Sequence, residues 1–254
     1  MSQPLEDQIV LVTGAGRGFG AAIARAFARE GSRVAINYYR SREKAEALAE
    51  ELGERALALQ ADVRNADSVA AMVERVASEL GAPTTVVHNA LADYSFNGDA
   101  RDTLAKLSPD SLDAQSHTAV RGALHMIQAA SPAMAAAGFG RFIHIGTNLV
   151  QNPVVPYHDY TAAKAALLAL TRTAAAELGP QGITVNMVSG GLLRTTDASA
   201  ATPDAVFDLI ADTTPLRSVT TPEEAADAVL FFASPWARAV TGQNLIVDGG
   251  LVFG

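Results

Sequence analysis

No cysteine occurs in the 254 residues, which excludes disulfides, thiolate metal sites and cysteine nucleophiles. Positive charge is outweighed as well. Against 27 Asp and Glu there are 19 Lys and Arg, a formal net charge of -8. A surface of that sign does not hold nucleic acid or anionic membrane non-specifically, so neither is an expected partner. No apolar run approaches the ~18 residues of a membrane span. The opening MSQPLEDQIVLVTGAG lacks the basic-then-apolar order of a secretory signal. These absences lead to the expectation of a cytoplasmic protein. Several chemical motifs are missing too. There is no G-x-x-x-x-G-K-[ST], Ser95 and Ser189 have no nucleophile-elbow context, and none of the five histidines stands in a ligand pattern, so no metal is expected.

What is present alternates. Short apolar runs rich in β-branched residues fall at 9–13, 33–38, 56–61, 84–89, 141–146, 183–188 and 244–249. Alanine-rich stretches of helical period lie between them, at 20–30, 41–52, 67–80, 160–178 and 222–233, with Asp67 and Thr221-Pro222 as start signals. Near-continuous apolar strands belong in a parallel sheet covered on both faces. The chain therefore reads as α/β: a single doubly wound Rossmann-type domain over residues 1–254, with a seven-stranded parallel sheet flanked by helices. Residues 190–221 break the pattern. Their Gly, Thr and Pro content reads as an insertion with a short helix near 203–211, placed to cover a substrate.

The first apolar run leads straight into TGAGRGFG at residues 13–20. Glycines in a strand-to-helix turn let backbone approach a pyrophosphate, which the helix N-terminus favours. The glycines are Gly14, Gly16, Gly18 and Gly20, and Phe19 stands where G-x-G-x-x-G would have its third glycine. A tight turn would need glycine even without a ligand. The second run ends Asn37-Tyr38-Tyr39-Arg40-Ser41-Arg42, with no acid before Glu43. An NAD site usually ends this strand in a carboxylate for the ribose hydroxyls. Its absence, with Arg17 and Arg40 close by, suits a 2′-phosphate, so NADP(H) is favoured over NAD(H). The competing reading makes Arg40 and Arg42 solvated charges at a helix start. After the third run come Asp62 and Val63, suited to an adenine amino group and ring. After the fourth come Asn89 and Ala90. Both pairs fall at carboxyl ends of strands, where such sheets bind ligands.

Residues 159–164 read DYTAAK. Tyr160 and Lys164 share a helix face, and an ammonium there would bring the phenol toward the physiological range. Such a phenol can protonate the oxygen formed when hydride adds to a carbonyl. Alone, Tyr-x-x-x-Lys is as readily an ordinary solvated helix face. Together with the glycine turn, Asp62-Val63 and Asn89-Ala90, it resembles the short-chain dehydrogenase/reductase family from Ile9 to Gly250, including VTGQNLIVDGG at 240–250. The likeness is strongest to the 3-oxoacyl-[acyl-carrier-protein] reductase branch. The resemblance implies Tyr160 as general acid and Lys164 as the nicotinamide-ribose ligand. It also implies that Thr147, where the family has a serine, holds the substrate oxygen. Cofactor contacts would come from the residues already named and from Gly190, Gly191, Leu193 and Thr195. A small carbonyl substrate and a homotetramer or homodimer follow from the same likeness.

Three departures gather at the nicotinamide end. Ala119 replaces an asparagine whose main chain helps hold a proton-relay water in the family, with Gln115 or His117 as substitutes. Leu91 replaces the glycine of Asn-Ala-Gly. Gly190-Gly191 replaces proline-glycine and would loosen the hinge of the covering segment. Two functions are therefore expected. The first is NADPH-dependent reduction of a ketone, 3-oxoacyl-thioester-like or another small carbonyl. The second is a catalytically weak NADP(H)-binding sensor or scaffold of the same fold.

Overall fold

In a computed structural model, the described residues are 2–92, 94, 96, 101–194, 196, 199–200 and 202–253. Seven strands, β1 (Ile9–Val12), β2 (Arg33–Tyr38), β3 (Ala56–Gln60), β4 (Thr85–His88), β5 (Gly140–Thr147), β6 (Ile183–Gly190) and β7 (Asn244–Val247), form one sheet. Every pairing is parallel, in the order β3-β2-β1-β4-β5-β6-β7. The chain runs outward from β1 to β3, then returns to place β4 on the other side of β1. That reversal opens a crevice at the carboxyl ends of β1 and β4.

Helices cover both faces, which is why the strands carry unbroken apolar runs. They are α1 (Gly18–Arg29), α2 (Arg42–Leu52), α3 (Ala66–Glu79), α4 (Pro109–Ser116), α5 (Gly122–Ala137), α6 (His158–Leu178), α7 (Asp204–Thr213) and α8 (Pro222–Ala233). Successive strand residues alternate between two core clusters. Ile9 and Leu11 join Val86, Phe142, Met126 and Ala174 on one face. Val10 and Val12 join Ile23, Phe27, Ile143 and Phe232 on the other. The α8 start at Thr221 is a full capping box with Glu224, as the sequence pattern indicated. At α3 the cap lies earlier than expected. Asn65, not Asp67, accepts from the Ser68 amide at 2.8 Å, because its extended backbone suits the N-cap position. Residues 190–221 do contain a short helix, α7. Among the described residues, no helix is long and apolar enough to cross a membrane.

Two imidazoles stand side by side inside the sheet. His88 of β4 and His144 of β5 are paired in register and both are buried. Burial pushes His88 down to about 4, and the charge of Lys164 adds to this. His144 falls to about 3 through burial, with His88 and Lys164 contributing. Both rings stay neutral in the folded chain, whereas the unfolded chain binds protons below the ordinary imidazole value of about 6.5. Their burial costs nothing extra above that pH. As pH falls toward the folded values, stability is lost at up to about 1.4 kcal/mol per pH unit for each ring. Urea unfolding of the wild type and of His144→Gln between pH 7.5 and 4.5 checks this. The variant is expected to lose stability less steeply, and parallel lines would remove the imidazole as the cause.

Candidate active site

The glycine turn after β1 is pressed against the end of β4. The Thr13 hydroxyl accepts from the Asn89 and Ala90 amides, both at 3.0 Å. The Asn89 side chain donates to the carbonyls of Thr13 and Gly14. Gly14 and Gly20 make this approach possible, and Gly16 a second one to Ser41 beyond β2. A Cβ on Gly14 would lie 2.9 Å from Ala90 Cα, one on Gly20 2.5 Å from Asn89 Nδ2, and one on Gly16 2.6 Å from Ser41 Oγ. Gly14 and Gly18 also have positive φ. At the start of α1, Arg17 is the N-cap residue but its side chain makes no cap bond, and the first turn holds no acid. Uncapped amides and the helix dipole there suit a pyrophosphate. Phe19 leans on the core beneath α1. The covering segment reaches this cradle: Thr196 Cβ stands 3.8 Å from where a Gly18 Cβ would be.

The adenosine side differs in detail from the sequence expectation. Asn37 is buried and its side chain is fully engaged, accepting from the Gly14 amide at 3.2 Å and donating to the Ala61 carbonyl at 3.1 Å. It braces the turn from below. Tyr38 is packed into the core, while Arg40 is exposed at the strand end with its guanidinium 5.2 Å from the Tyr39 ring. The Asp62 carboxylate is held by Arg64 at 2.7 Å, and its pKa is lowered chiefly by that side-chain bond. An adenine amino group would compete with this arginine. Val63 is a core residue beside Val69 and Met72, and a Cβ on Gly122 would touch it.

At the other end of the crevice, Tyr160 lies in the first turn of α6 and Lys164 one turn later, both buried. Thr147 ends β5, and its hydroxyl lies close enough to the Tyr160 phenol to act on the phenol's proton affinity. The Lys164 ammonium donates to the Ile145 carbonyl at 2.6 Å and stands 5.7 Å from the Tyr160 ring centre. The expected acidification of the phenol is not found in the chain by itself. Burial pushes Tyr160 up to about 12, outweighing the Thr147 hydroxyl, which pulls the other way. Burial lowers Lys164 to about 8. Desolvation disfavours the charged form of each group, and the ammonium is aimed at a carbonyl and not at the phenol oxygen.

Ala119 sits in a π-helical turn, His117–Arg121, between α4 and α5. Neither Gln115 nor His117 anchors that turn among the contacts seen. The anchor is His88, whose Nε2 meets the Thr118 carbonyl at 3.1 Å and whose Nδ1 meets the Thr13 hydroxyl at 3.3 Å. A carbonyl can only accept, so Nε2 carries the proton and Nδ1 accepts from Thr13. Gly122 leaves room for the ring, since a Cβ there would lie 2.9 Å from His88 Cε1. The sequence reading considered His88 only as a metal ligand and missed this bridge. Leu91 is exposed at the rim. Gly190 and Gly191 are not a loose hinge. Gly190 is paired in the sheet opposite Thr147, and a Cβ on Gly191 would meet Asn148 Nδ2 and Asp248 Cβ at 3.1 Å. Leu193 follows, partly buried beside Gly190, and Thr195 lies outside the described residues.

The family model described as enoyl-(acyl carrier protein) reductase matches residues 14–252. A 3-oxoacyl-[acyl-carrier-protein] reductase FabG of Staphylococcus aureus is 37% identical over 247 residues, covering 95% of this chain and 96% of that protein. A blue fluorescent protein from a metagenomic library, solved in complex with NADPH, superposes with a TM-score of 0.87 at 35% identity, covering 99% of this chain and 100% of the other. A 3-oxoacyl-[acyl-carrier protein] reductase of Brucella melitensis superposes with a TM-score of 0.89 at 30% identity, covering 98% and 92%. With its parallel sheet and glycine-lined crevice, the chain belongs to the short-chain dehydrogenase/reductase family of nicotinamide-dependent oxidoreductases.

Proposed function

We propose that this protein is an NADPH-dependent ketone reductase in which Tyr160 donates the proton. One observation carries the reading: the buried phenol of Tyr160 and the hydroxyl of Thr147 come close together at the carboxyl edge of the sheet, at the same edge as the glycine cradle. The reduced nicotinamide supplies the hydride that forms the new C–H bond. The carbonyl π electrons move to oxygen, which Thr147 orients and Tyr160 protonates. A phenol whose pKa is pushed up to about 12 carries its proton throughout the neutral range, as an acid for reduction must. Lys164 would hold the nicotinamide ribose. Gly14, Gly16, Gly18, Phe19 and Gly20 would hold the pyrophosphate, Asn89 and Ala90 the adjoining edge. Arg17 and Arg40 would meet a 2′-phosphate, a preference supported by the missing acid at the end of β2 and by the NADPH bound in one similar structure. Asp62 would face the adenosine end with Asn37, Tyr38 and Val63 supporting it from the core, and Gly190, Gly191, Leu193 and Thr195 would line the nicotinamide end. The substrate would be a 3-oxoacyl-thioester-like compound or another ketone, as the similar reductases' names suggest.

NADPH consumption with β-ketoesters tests the reaction. Tyr160→Phe is expected to lower kcat by about 100-fold or more with NADPH affinity kept. Retained turnover would end the general-acid role. Because the raised pKa keeps the phenol protonated, reduction is expected to be level from pH 6 to 7.5. Oxidation of the product alcohol needs phenolate, and its rate is expected to rise with pH over the same interval. Arg40→Ser is expected to cut the NADPH-over-NADH ratio of kcat/KM by about tenfold, the worth of a charge-assisted hydrogen bond. An unchanged ratio would free Arg40 of that role. The chain is further proposed to assemble as a homotetramer or homodimer, which would cover the exposed Trp236 and Phe253. Sedimentation at the 26.4 kDa of one subunit would overturn this.

A further inference from the structure

Resting on the reductase reading, we infer that Tyr94 and Phe96 are specificity-determining residues: a wall that selects carbonyl compounds with a flat aromatic or conjugated group beside the reacting carbon. The chain leaving β4 brings both rings onto Tyr160. Tyr94 stacks on it with centroids 5.3 Å apart and planes 29° from parallel. Phe96 meets the same ring edge-on at 5.2 Å. Tyr157, the N-cap residue of α6, makes edge contacts at 5.7 Å with both. Two rings therefore lie directly on the one phenol that the reaction uses, and a third packs against both of them.

The wall is tied down by charge. Arg101 forms an ion pair with Asp159 at 3.0 Å, in direct sequence with Tyr160, and lays its guanidinium carbon 3.9 Å from the centre of the Tyr94 ring. The Tyr94 hydroxyl donates to the same carboxylate at 3.2 Å. Asp159 is buried, and Arg101 is mostly so. Its two oxygens thus take two bonds from the arginine and one from the tyrosine. The cation and the anion of this wall compensate each other, and the polar tip of Tyr94 is engaged. The faces of the Tyr94 ring are taken by Arg101 and Tyr160, so what the wall offers a neighbour beside the phenol is ring edge.

A reacting carbonyl must come within hydrogen-bond reach of the Tyr160 oxygen, so its substituent lies against these rings. A flat π system can meet such ring edges at centroid spacings of about 4.5–7 Å and gains from each such pair beyond the burial of its area. A saturated ring of the same size gains burial only. The expected discrimination is about two- to tenfold per ring contact.

Ethyl benzoylacetate and its cyclohexyl counterpart isolate planarity at constant size. The NADPH-saturated wild type is expected to favour the phenyl compound in kcat/KM by about fivefold or more. Tyr94→Leu with Phe96→Leu, which keeps the wall apolar, is expected to bring the ratio to within about twofold of unity. Arg101→Met is expected to lower it part way. A wild-type ratio near one, or a preference that survives in the doubly substituted protein with its circular dichroism unchanged, would overturn the wall. If neither ketone is reduced, the reductase reading fails instead. Titration calorimetry of the same two ketones against the NADPH-bound protein then decides the wall, equal affinities refuting it.

Discussion

The seam between the glycine turn and the end of β4 is the constraint on which the rest of the site depends. Asn89 donates across it to Thr13 and Gly14, and Gly14 and Gly20 have no side chain to hold the two backbones apart. The seam lies where the strand order reverses, so it forms the floor of the crevice. Its effects spread by contact. His88 carries it from Thr13 to the π-turn at 117–121. The register of β4 on β5 carries it to the segment that ends in Thr147, and Ile145 in turn fixes the Lys164 ammonium. A Cβ at Gly20 would thus move more than the glycine turn. It would also displace the strand edge that ends in Thr147 beside Tyr160.

Burial decides the electrostatics here more than pairing does. Tyr160 and Lys164 are one helical turn apart, yet each moves toward its neutral form, the phenol up and the ammonium down. Two unprotonated imidazoles lie beneath the lysine, and its charge in turn depresses both. The strand core under the site is therefore a region where a further charge is expensive.

Much of the fold was legible because both faces of the sheet are covered. An unbroken apolar run is then the physical requirement for a strand, and 33–38 matches β2 to the residue. Strand ends were harder, since β5 and β6 extend to Thr147 and Gly190 through small or polar residues that no periodicity marks. In the site, residues at the carboxyl ends of strands could be placed because topology dictates where ligands sit. Those missed act across the chain. His88 bonds a carbonyl thirty residues on, and Asp159 pairs with Arg101 fifty-eight residues back. Tyr94 and Phe96 lie in an irregular segment where nothing in the local order of residues says which way a ring turns. The phenol's pKa was misjudged for a related reason: spacing on a helix shows that two groups are near, but not how dry their surroundings are.

The departures at the nicotinamide end argue differently once the packing is known. An asparagine missing at position 119 suggested a damaged relay, and two adjacent glycines suggested a slack hinge. Yet the π-turn at Ala119 forms without that asparagine, since a ring from β4 reaches up to hold its carbonyl and Gly122 clears the space for it. Gly191 is small because Asn148 and Asp248, bonded at 2.9 Å, close in on it. Both substitutions are matched by a neighbour shaped to them. A chain drifting toward a mere nucleotide holder would have no physical need for such matching around the reacting end. Its presence there, beside an aromatic wall set against Tyr160 and Tyr157, is what weighs the site toward chemistry.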